Sequence, residues 1–472
     1  MKVLLIRPPS PLPNVFGAKY SYLDVGTYPP LGLMYLAGYL ERHSHHKVTI
    51  LDMEAEKLNI GALKKRFEYL NPQFIGIHVN SLLLKFAYET AREIRSISRD
   101  VHITLGGPHI GIFPQESLSL PEIDSIVIGE GEETLLELLK CLEEKGNLPS
   151  VKGLGYKKNG LQQINDMRPL IKDLDKLPFP ARHFTNYKAY NSFIGKRKTV
   201  TIILTSRGCP YRCNFCYNQY EGIYRRRSVD NVIEEIKICV FMDIHKFMIF
   251  DELFVSDPKW VIDFCNSIVK NRLKIIFDIR TRIDTVNEEV LYKLKKAGCV
   301  RIKTGVESGA QEILNKMNKK LNIESVSRSF KLIKKAGIGS YATFMIGYPG
   351  ETIEQIEKTF NYAKELDPDF ALILITKLAP GSVIYSEALR NKILKHDYWK
   401  SAAENPVFDI TCPLASDRFS EYELENMVKK FYSEFYFRPK YIFRMLSNIS
   451  SFYELKNMIK AGYSLFINTH IK

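Results

Sequence analysis

The chain has 472 residues, 45% of them apolar, with a formal charge of +14 and a pI near 9.1. That length admits two or three domains, and no run of ~18 uncharged apolar residues offers a transmembrane helix. The apolar start, Met-Lys-Val-Leu-Leu-Ile, is too short for a secretory signal. Lysines are spread over many helices, so the positive balance reads as a solvated surface and not as a nucleic-acid site. Eight cysteines, three of them on one loop, point to a reducing, cytoplasmic setting and not to a disulfide framework.

In the first 150 residues, apolar runs at Lys2–Ile6, Val48–Asp52, Phe74–Val79, His102–Gly107 and Ser125–Gly129 predict strands. Amphipathic stretches Leu31–Arg42, Ile60–Leu70, Leu83–Ser98 and Glu132–Glu144 predict helices between them. Such alternation makes an open parallel sheet whose ligands sit beyond the C-terminal strand ends. A nicotinamide dinucleotide fold does not fit. The loop Arg-Pro-Pro-Ser-Pro-Leu-Pro after the first strand has no glycine fingerprint, and its prolines lack the amides that would hold a pyrophosphate. Asp52 then reads as a strand-end or capping residue. Glycines at strand ends, Gly106-Gly107 and Gly129-Glu130-Gly131, let backbone approach a ligand or pack tightly. Ser81 can donate to a ligand or cap the helix that follows it. Glu130 and Glu132 suit the helix N-terminus beside them.

Between residues 149 and 197, Asn159-Gly160 predicts a hairpin turn between Gly153–Lys157 and Gln162–Asn165, and Leu-Pro-Phe-Pro at 177–180 a stiff spacer. From residue 198 longer strand–helix units resume. Strands are expected at Val200–Thr205, Phe247–Asp251, Ile275–Arg280, Val300–Val306, Tyr341–Gly347 and Phe370–Thr376. Helices are expected at Val229–Phe241, Pro258–Val269, Glu288–Ala297, Ile323–Ala336, Ile353–Leu366 and Val383–Leu389. Six units predict a partial parallel (β/α)6 barrel, with chemistry at the C-terminal strand ends.

Cys209, Cys213 and Cys216 follow the first of these strands in a C-x3-C-x2-C spacing, on a loop opened by Gly208 and Pro210. Thiolates suit iron–sulfur clusters, and three of them leave one iron of a four-iron cluster open. Zinc normally takes four ligands, and no fourth Cys or His follows nearby. The remaining thiols, Cys141, Cys239, Cys265, Cys299 and Cys412, form no second motif. From 419 onward, aromatic pairs and triplets interleaved with Lys and Arg predict helices that cover the barrel, line an apolar pocket or touch a membrane surface.

The three-cysteine loop, with Phe215 before its last thiol, resembles the cluster motif of the radical S-adenosylmethionine (SAM) superfamily. Arg-Pro-Pro, Tyr-Pro-Pro-Leu-Gly-Leu, Gly-Gly-Pro-His and Gly-Glu-Gly-Glu, in that order, resemble the N-terminal domain of its cobalamin-binding branch. The resemblance implies an α/β protein in four parts. These are a Rossmann-like cobalamin-binding domain (1–148), a linker with a hairpin (149–197), a partial TIM-like radical SAM barrel (198–405) and a C-terminal helical cap (406–472). It implies a [4Fe–4S] cluster on Cys209, Cys213 and Cys216, with SAM near Phe215, Asp251, Glu252, Arg280, Glu307, Ser308 and Gly347. It implies cobalamin near Ser81, Gly106, Gly107, Gly129, Glu130 and Gly131. The Asp-x-His-x-x-Gly cobalt-binding motif of many cobalamin domains is missing, as is common in this branch.

The implied activity is reductive cleavage of SAM to a 5′-deoxyadenosyl radical, followed by methyl transfer to an unactivated carbon or to phosphorus. Cyclisation or rearrangement is the alternative that the same cofactors support. The implied partners are a small, apolar substrate and an electron donor such as flavodoxin or ferredoxin. A tRNA methylthiotransferase is disfavoured because the first domain holds only Cys141. A corrinoid or redox sensor without turnover is the reading from a different class.

Overall fold

A computed structural model describes residues 1–10, 26–191, 199–218, 220, 222–407 and 410–447, with 456, 459 and 462. The expected helices beyond 447 lie outside the described residues. The chain divides into two compact units. One holds the N-terminal strand, Thr27–Tyr190 and Leu394–Thr411; the other holds Asn191–Ile393 and the chain from Cys412.

The first unit alternates β1 (Lys2–Arg7), α1 (Leu31–His43), β2 (Lys47–Asp52), α2 (Leu63–Leu70), β3 (Phe74–His78), α3 (Leu84–Ile97), β4 (His102–Gly106), α4 (Pro114–Ser119), β5 (Ser125–Val127) and α5 (Glu132–Glu144). Two further strands, β6 (Leu154–Lys158) and β7 (Leu161–Ile164), follow as a hairpin. The sheet order is β2-β1-β3-β4-β5-β6-β7. Its first five strands are parallel because each returns through a helix, and β6 and β7 join antiparallel. The predicted turn is present, with both Asn159 and Gly160 at positive φ. Its strands are not part of a free spacer. They extend the first sheet, because the edge of β5 offers unpaired backbone groups. The crossovers reverse between β1 and β3, so the crevice for ligands opens there.

The second unit begins with β8 (Thr201–Ile203) and a small antiparallel pair, β9 (Ser206–Arg207) and β10 (Arg225–Arg226), which brackets the cysteine loop. It continues through α6 (Val229–Phe241), β11 (Lys246–Ile249), α7 (Pro258–Lys270), β12 (Ile276–Arg280), α8 (Glu288–Ala297), β13 (Cys299–Glu307), α9 (Gln311–Lys316), α10 (Ile323–Lys335), β14 (Gly339–Ile346), α11 (Ile353–Leu366), β15 (Phe370–Ile375) and α12 (Val383–Arg390). The sheet order β15-β14-β13-β12-β11-β8 is parallel throughout, an open barrel of six strands. A short helix, α13 (Tyr398–Glu404), groups with the first unit, where it packs on α4.

The aromatic tail forms α14 (Glu421–Tyr436) and α15 (Pro439–Ser447). It caps the barrel from the side. The hydroxyl of Tyr432 accepts from Ile373 N at 3.0 Å and donates to Ile373 O at 3.3 Å. Tyr436 does the same for Ala371, at 3.0 and 2.7 Å, and Tyr441 donates to Asp369 O at 2.7 Å. These backbone groups of β15 have no further strand to pair with. Four residues of helix rise ~6 Å and two residues of strand rise ~6.6 Å, so tyrosines one helical turn apart meet alternate strand residues.

Candidate active site

The thiol loop is held from several sides. Gly208 has φ +90°, and a Cβ there would fall 1.9 Å from Ile223 O, so no other residue fits. Asn218 Nδ2 donates to Cys209 O and Tyr211 O at 2.8 and 3.1 Å. Across the barrel mouth, Asn214 N donates to Met317 O at 2.9 Å, and Asn318 Nδ2 to Arg212 O at 2.7 Å. Arg282 stacks 3.8 Å over the Tyr211 ring while donating to Lys319 O at 2.7 Å and to Asp284. The turn after α9 is thereby tied to the loop that carries the thiols.

Cys209 and Cys213 are half-buried; Cys216 keeps solvent contact but is ringed by protein. Burial pushes all three thiols up, Cys216 to about 12, and Lys319 opposes this at each. Among the described residues no three Cys, His, Asp or Glu side chains converge to hold one metal ion. Thiolates that each bind a different iron of a cubane do not need to converge. A soft, three-sulfur donor set therefore fits a cluster with one open iron.

Around this loop the mouth carries both signs of charge. Glu307 ends β13 at φ +70°, beside a bulge in its pairing to β14, and its Oε1 accepts from Lys319 Nζ at 2.7 Å. A Cβ on Gly305 would fall 2.0 Å from that oxygen, so the bare glycine makes room for the carboxylate. Lys319 Nζ also lies 5.8 Å from the ring centroid of Phe215. Arg280 ends β12 and sits 3.4 Å over the ring of Phe250. Phe277 packs outward on Phe264 of α7, and alternation along β12 then turns Arg280 inward. Glu252 is exposed; its carboxyl is raised by the surrounding protein and pulled back by Arg280. Paired carboxylates and cations suit a ligand that carries an ammonium and a carboxylate, as SAM does.

Three residues expected near SAM have polar groups engaged within the protein. Asp251 is fully buried, and its carboxylate accepts from Thr205 N at 2.7 Å, from the Thr205 hydroxyl, and from Ser206 Oγ at 2.6 Å. It braces the strand entering the thiol loop and has no free face. Ser308 is one residue past Glu307 and so points the other way, where its hydroxyl lies 3.1 Å from Thr359 Oγ1 of α11. Gly347 N donates to Glu351 Oε2 at 2.6 Å, and its missing Cβ makes room for Leu424 of α14. Lys319 lies in no spacing motif and reaches the site only through the turn after α9. Arg282 stands with Arg280 at the end of β12, where sequence does not decide which of the two faces inward; in the structure it ties that turn to Tyr211 of the thiol loop.

In the first unit the expected ligand residues divide in the same way. A Cβ on Gly107 would fall 2.4 Å from Val79 O, so chain packing demands that glycine, while one on Gly131 would press at 3.2 Å on the side chain of Leu36. A Cβ at Gly106 would make only ordinary contact, 3.9 Å from Val127, and one at Gly129 would lie 3.8 Å from Met167, where a φ of +84° already favours glycine. Glu130 is buried and accepts from Ile171 N at 2.8 Å, which makes it a brace. Asp52 caps its turn by accepting from Ala55 N at 3.1 Å and holds Tyr190 Oη at 2.9 Å. Ser81 is not the helix cap, because Asn80 Oδ1 already accepts from Leu82 N and Leu83 N. Its hydroxyl lies 3.0 Å from Nδ1 of His109. Glycine backbone after β4 and β5 and a hydroxyl after β3, all at the C-terminal edge of the sheet where ligands of such folds bind, fit a large, amide-rich corrinoid.

Comparison with known proteins identifies both domains. Residues 203–363 match the radical SAM superfamily model, and residues 24–139 the B12-binding domain model. A Pyrococcus horikoshii protein named as an uncharacterized methyltransferase is 32% identical over 454 residues, covering 94% of each chain. An anaerobic magnesium-protoporphyrin IX monomethyl ester cyclase from Rubrivivax gelatinosus is 29% identical over 426 residues, covering 88% of this chain and 75% of its own. A radical SAM methyltransferase from Kitasatospora setae, solved with cobalamin and a [4Fe–4S] cluster, shares the fold. Its TM-score is 0.71 at 16% identity, over 98% of this chain and all of its own. The chain belongs to the radical SAM superfamily, in the branch with a B12-binding domain, whose cofactors are a [4Fe–4S] cluster, SAM and cobalamin.

Proposed function

We propose that this enzyme is a cobalamin-dependent radical SAM methyltransferase acting on an unactivated carbon, or on phosphorus, of a small molecule. The observation that carries the reading is the pinned three-thiol loop facing a mouth that holds Glu307, Lys319, Glu252 and Arg280. The bound cofactors supply a 5′-deoxyadenosyl radical and a methyl group. The chain's own part is to hold and orient. Cys209, Cys213 and Cys216 present three sulfurs and leave one coordination site open. Glu307 and Glu252 offer acceptors to an ammonium, and Lys319 and Arg280 offer donors to a carboxylate. Phe215 supplies an apolar wall beside the loop. The backbone at Gly106 and Gly129, with the Ser81 hydroxyl, receives the corrinoid.

The P. horikoshii relative supports methyl transfer. The R. gelatinosus relative supports ring closure as the second reading, with the same residues and a different fate for the substrate radical. Among the described residues no helix is long and apolar enough to cross a membrane. All eight cysteines are free, which supports a cytoplasmic location. A flavodoxin or ferredoxin would supply the electron that the family's chemistry needs. Exposed Ile442, Phe443 and Leu446 on α15 support an apolar substrate or a peripheral membrane contact.

Anaerobic, reconstituted protein given SAM, hydroxocobalamin and a reductant is expected to form 5′-deoxyadenosine. A Cys209→Ala, Cys213→Ala, Cys216→Ala variant is expected to fall to background. Equal product from both proteins would refute the reading.

A further inference from the structure

Ser81 and His109 make a polar pair at the crevice end of the first sheet that the reaction itself leaves unexplained. His109 is fully buried, lies 5.2 Å from the Phe113 ring, and leaves Nε2 without a hydrogen-bond partner among the described residues. Burial lowers its pKa to about 4, so the ring is neutral near pH 7 and carries a single proton. The two tautomers strand different things. With the proton on Nε2, a buried N–H is bare; with it on Nδ1, only a lone pair is. Bare buried N–H groups are the rarer of the two in folded proteins. We therefore assign the proton to Nδ1, donating to Ser81 Oγ across 3.0 Å. A hydroxyl that accepts from the ring must send its own O–H elsewhere. Ser81 is half-buried and makes no other side-chain hydrogen bond among the described residues. Helix capping does not claim it, because Asn80 performs that task.

We propose that His109 is a positioning residue that holds the Ser81 hydroxyl as a hydrogen-bond donor to an uncharged acceptor of cobalamin, either an amide carbonyl of the corrin rim or a nitrogen of the nucleotide base. The proposal rests on the cobalamin reading above. An uncharged acceptor fits because His78, at the end of β3 beside Gly107, is likewise held neutral, with its pKa lowered to about 4 by burial and by Arg7. A phosphate would call for a cation here.

The test is a visible-absorbance titration of the full-length protein with hydroxocobalamin, repeated with cobinamide, which lacks the nucleotide. Melting temperatures report whether each variant is folded. Ser81→Ala and His109→Leu are each expected to weaken hydroxocobalamin binding about tenfold, and the double variant no more than either alone. His109→Asn, whose amide N–H replaces Nδ1–H, is expected to stay within about twofold of wild type. If the coupling persists with cobinamide, the acceptor is on the corrin rim; if it vanishes, the acceptor is in the nucleotide. A loss from His109→Leu that is undiminished in the Ser81→Ala background overturns the proposal and leaves the cobalamin reading standing. So does a folded Ser81→Ala protein that binds as tightly as wild type. A wild-type protein that binds neither corrinoid overturns both.

Discussion

Beyond β3 and β4 of the first sheet the polar groups are two neutral imidazoles, a hydroxyl and glycine backbone. Around the barrel mouth they are carboxylates, guanidinium groups and an ammonium, paired as Glu307–Lys319 and as Arg282–Asp284. Charge is not absent from the first sheet, but it lies at β1 and β2, where Arg7 is matched by Asp52 and Glu54. Both sheets place these groups at C-terminal strand ends, so topology does not cause the difference. It matches the ligands proposed for them: a corrinoid is bulky and mostly amide, and SAM is compact and zwitterionic. On that proposal one site would recognise shape and single hydrogen bonds, and the other charge.

The largest effect is expected where the charge is buried. Glu307→Gln leaves the Lys319 ammonium unpaired and should cost about 3 kcal/mol of stability in urea unfolding. Lys319→Met in the same background should recover part of that loss. If Glu307→Gln is neutral, the mouth is less electrostatic than described.

A smaller effect should mark the uncharged side. His109 is held near 4 against an ordinary value of 6.5 because burial disfavours its cation. The unfolded chain takes up that proton first, so stability present above pH 6.5 is lost as pH falls toward 4. Between pH 7 and pH 5 the His109 contribution to this loss is about 2 kcal/mol. His109→Asn should flatten the fall by that amount in paired unfolding curves; an unchanged slope would assign the acid sensitivity to other groups, such as His78 and His102.

The smallest effect is the sharpest discriminator. Raising salt from 0.05 to 0.5 M should weaken SAM binding about two- to threefold by screening the mouth. The same change should leave hydroxocobalamin affinity unmoved. Parallel salt dependence of both would erase the contrast.

Much of the fold could be read from hydrophobic period alone, because strands and helices alternate and each has its own turn chemistry. Helices such as Val229–Phe241 and Glu288–Ala297 begin after a capping Ser228 and Asn287, which mark their starts locally. The thiol loop was equally plain, since spacing is a property of the chain. Direction was harder to read. Asp251 and Ser308 stand at the right strand ends, but one is spent on Thr205 and Ser206 and the other faces α11. Glycine spacing did not separate Gly107, demanded by Val79, from Gly106, where a Cβ would make only ordinary contact with Val127. Lys319 reaches Glu307 from twelve residues away through a turn with Asn318 and Lys320 at positive φ, and no local pattern announces that. The pairing of the hairpin with β5 is a long-range choice of the same kind.

The tyrosines along β15 limit how this protein can change. Lengthening α14 by one residue would rotate everything after it by ~100° and lift Tyr436 and Tyr441 off their backbone partners together. Length changes should therefore be selected against between Ser420 and Tyr441, however exposed the helix's outer face is. Among relatives, the strand-end loops of the barrel can then vary while the span from Ser420 to Tyr441 keeps its length.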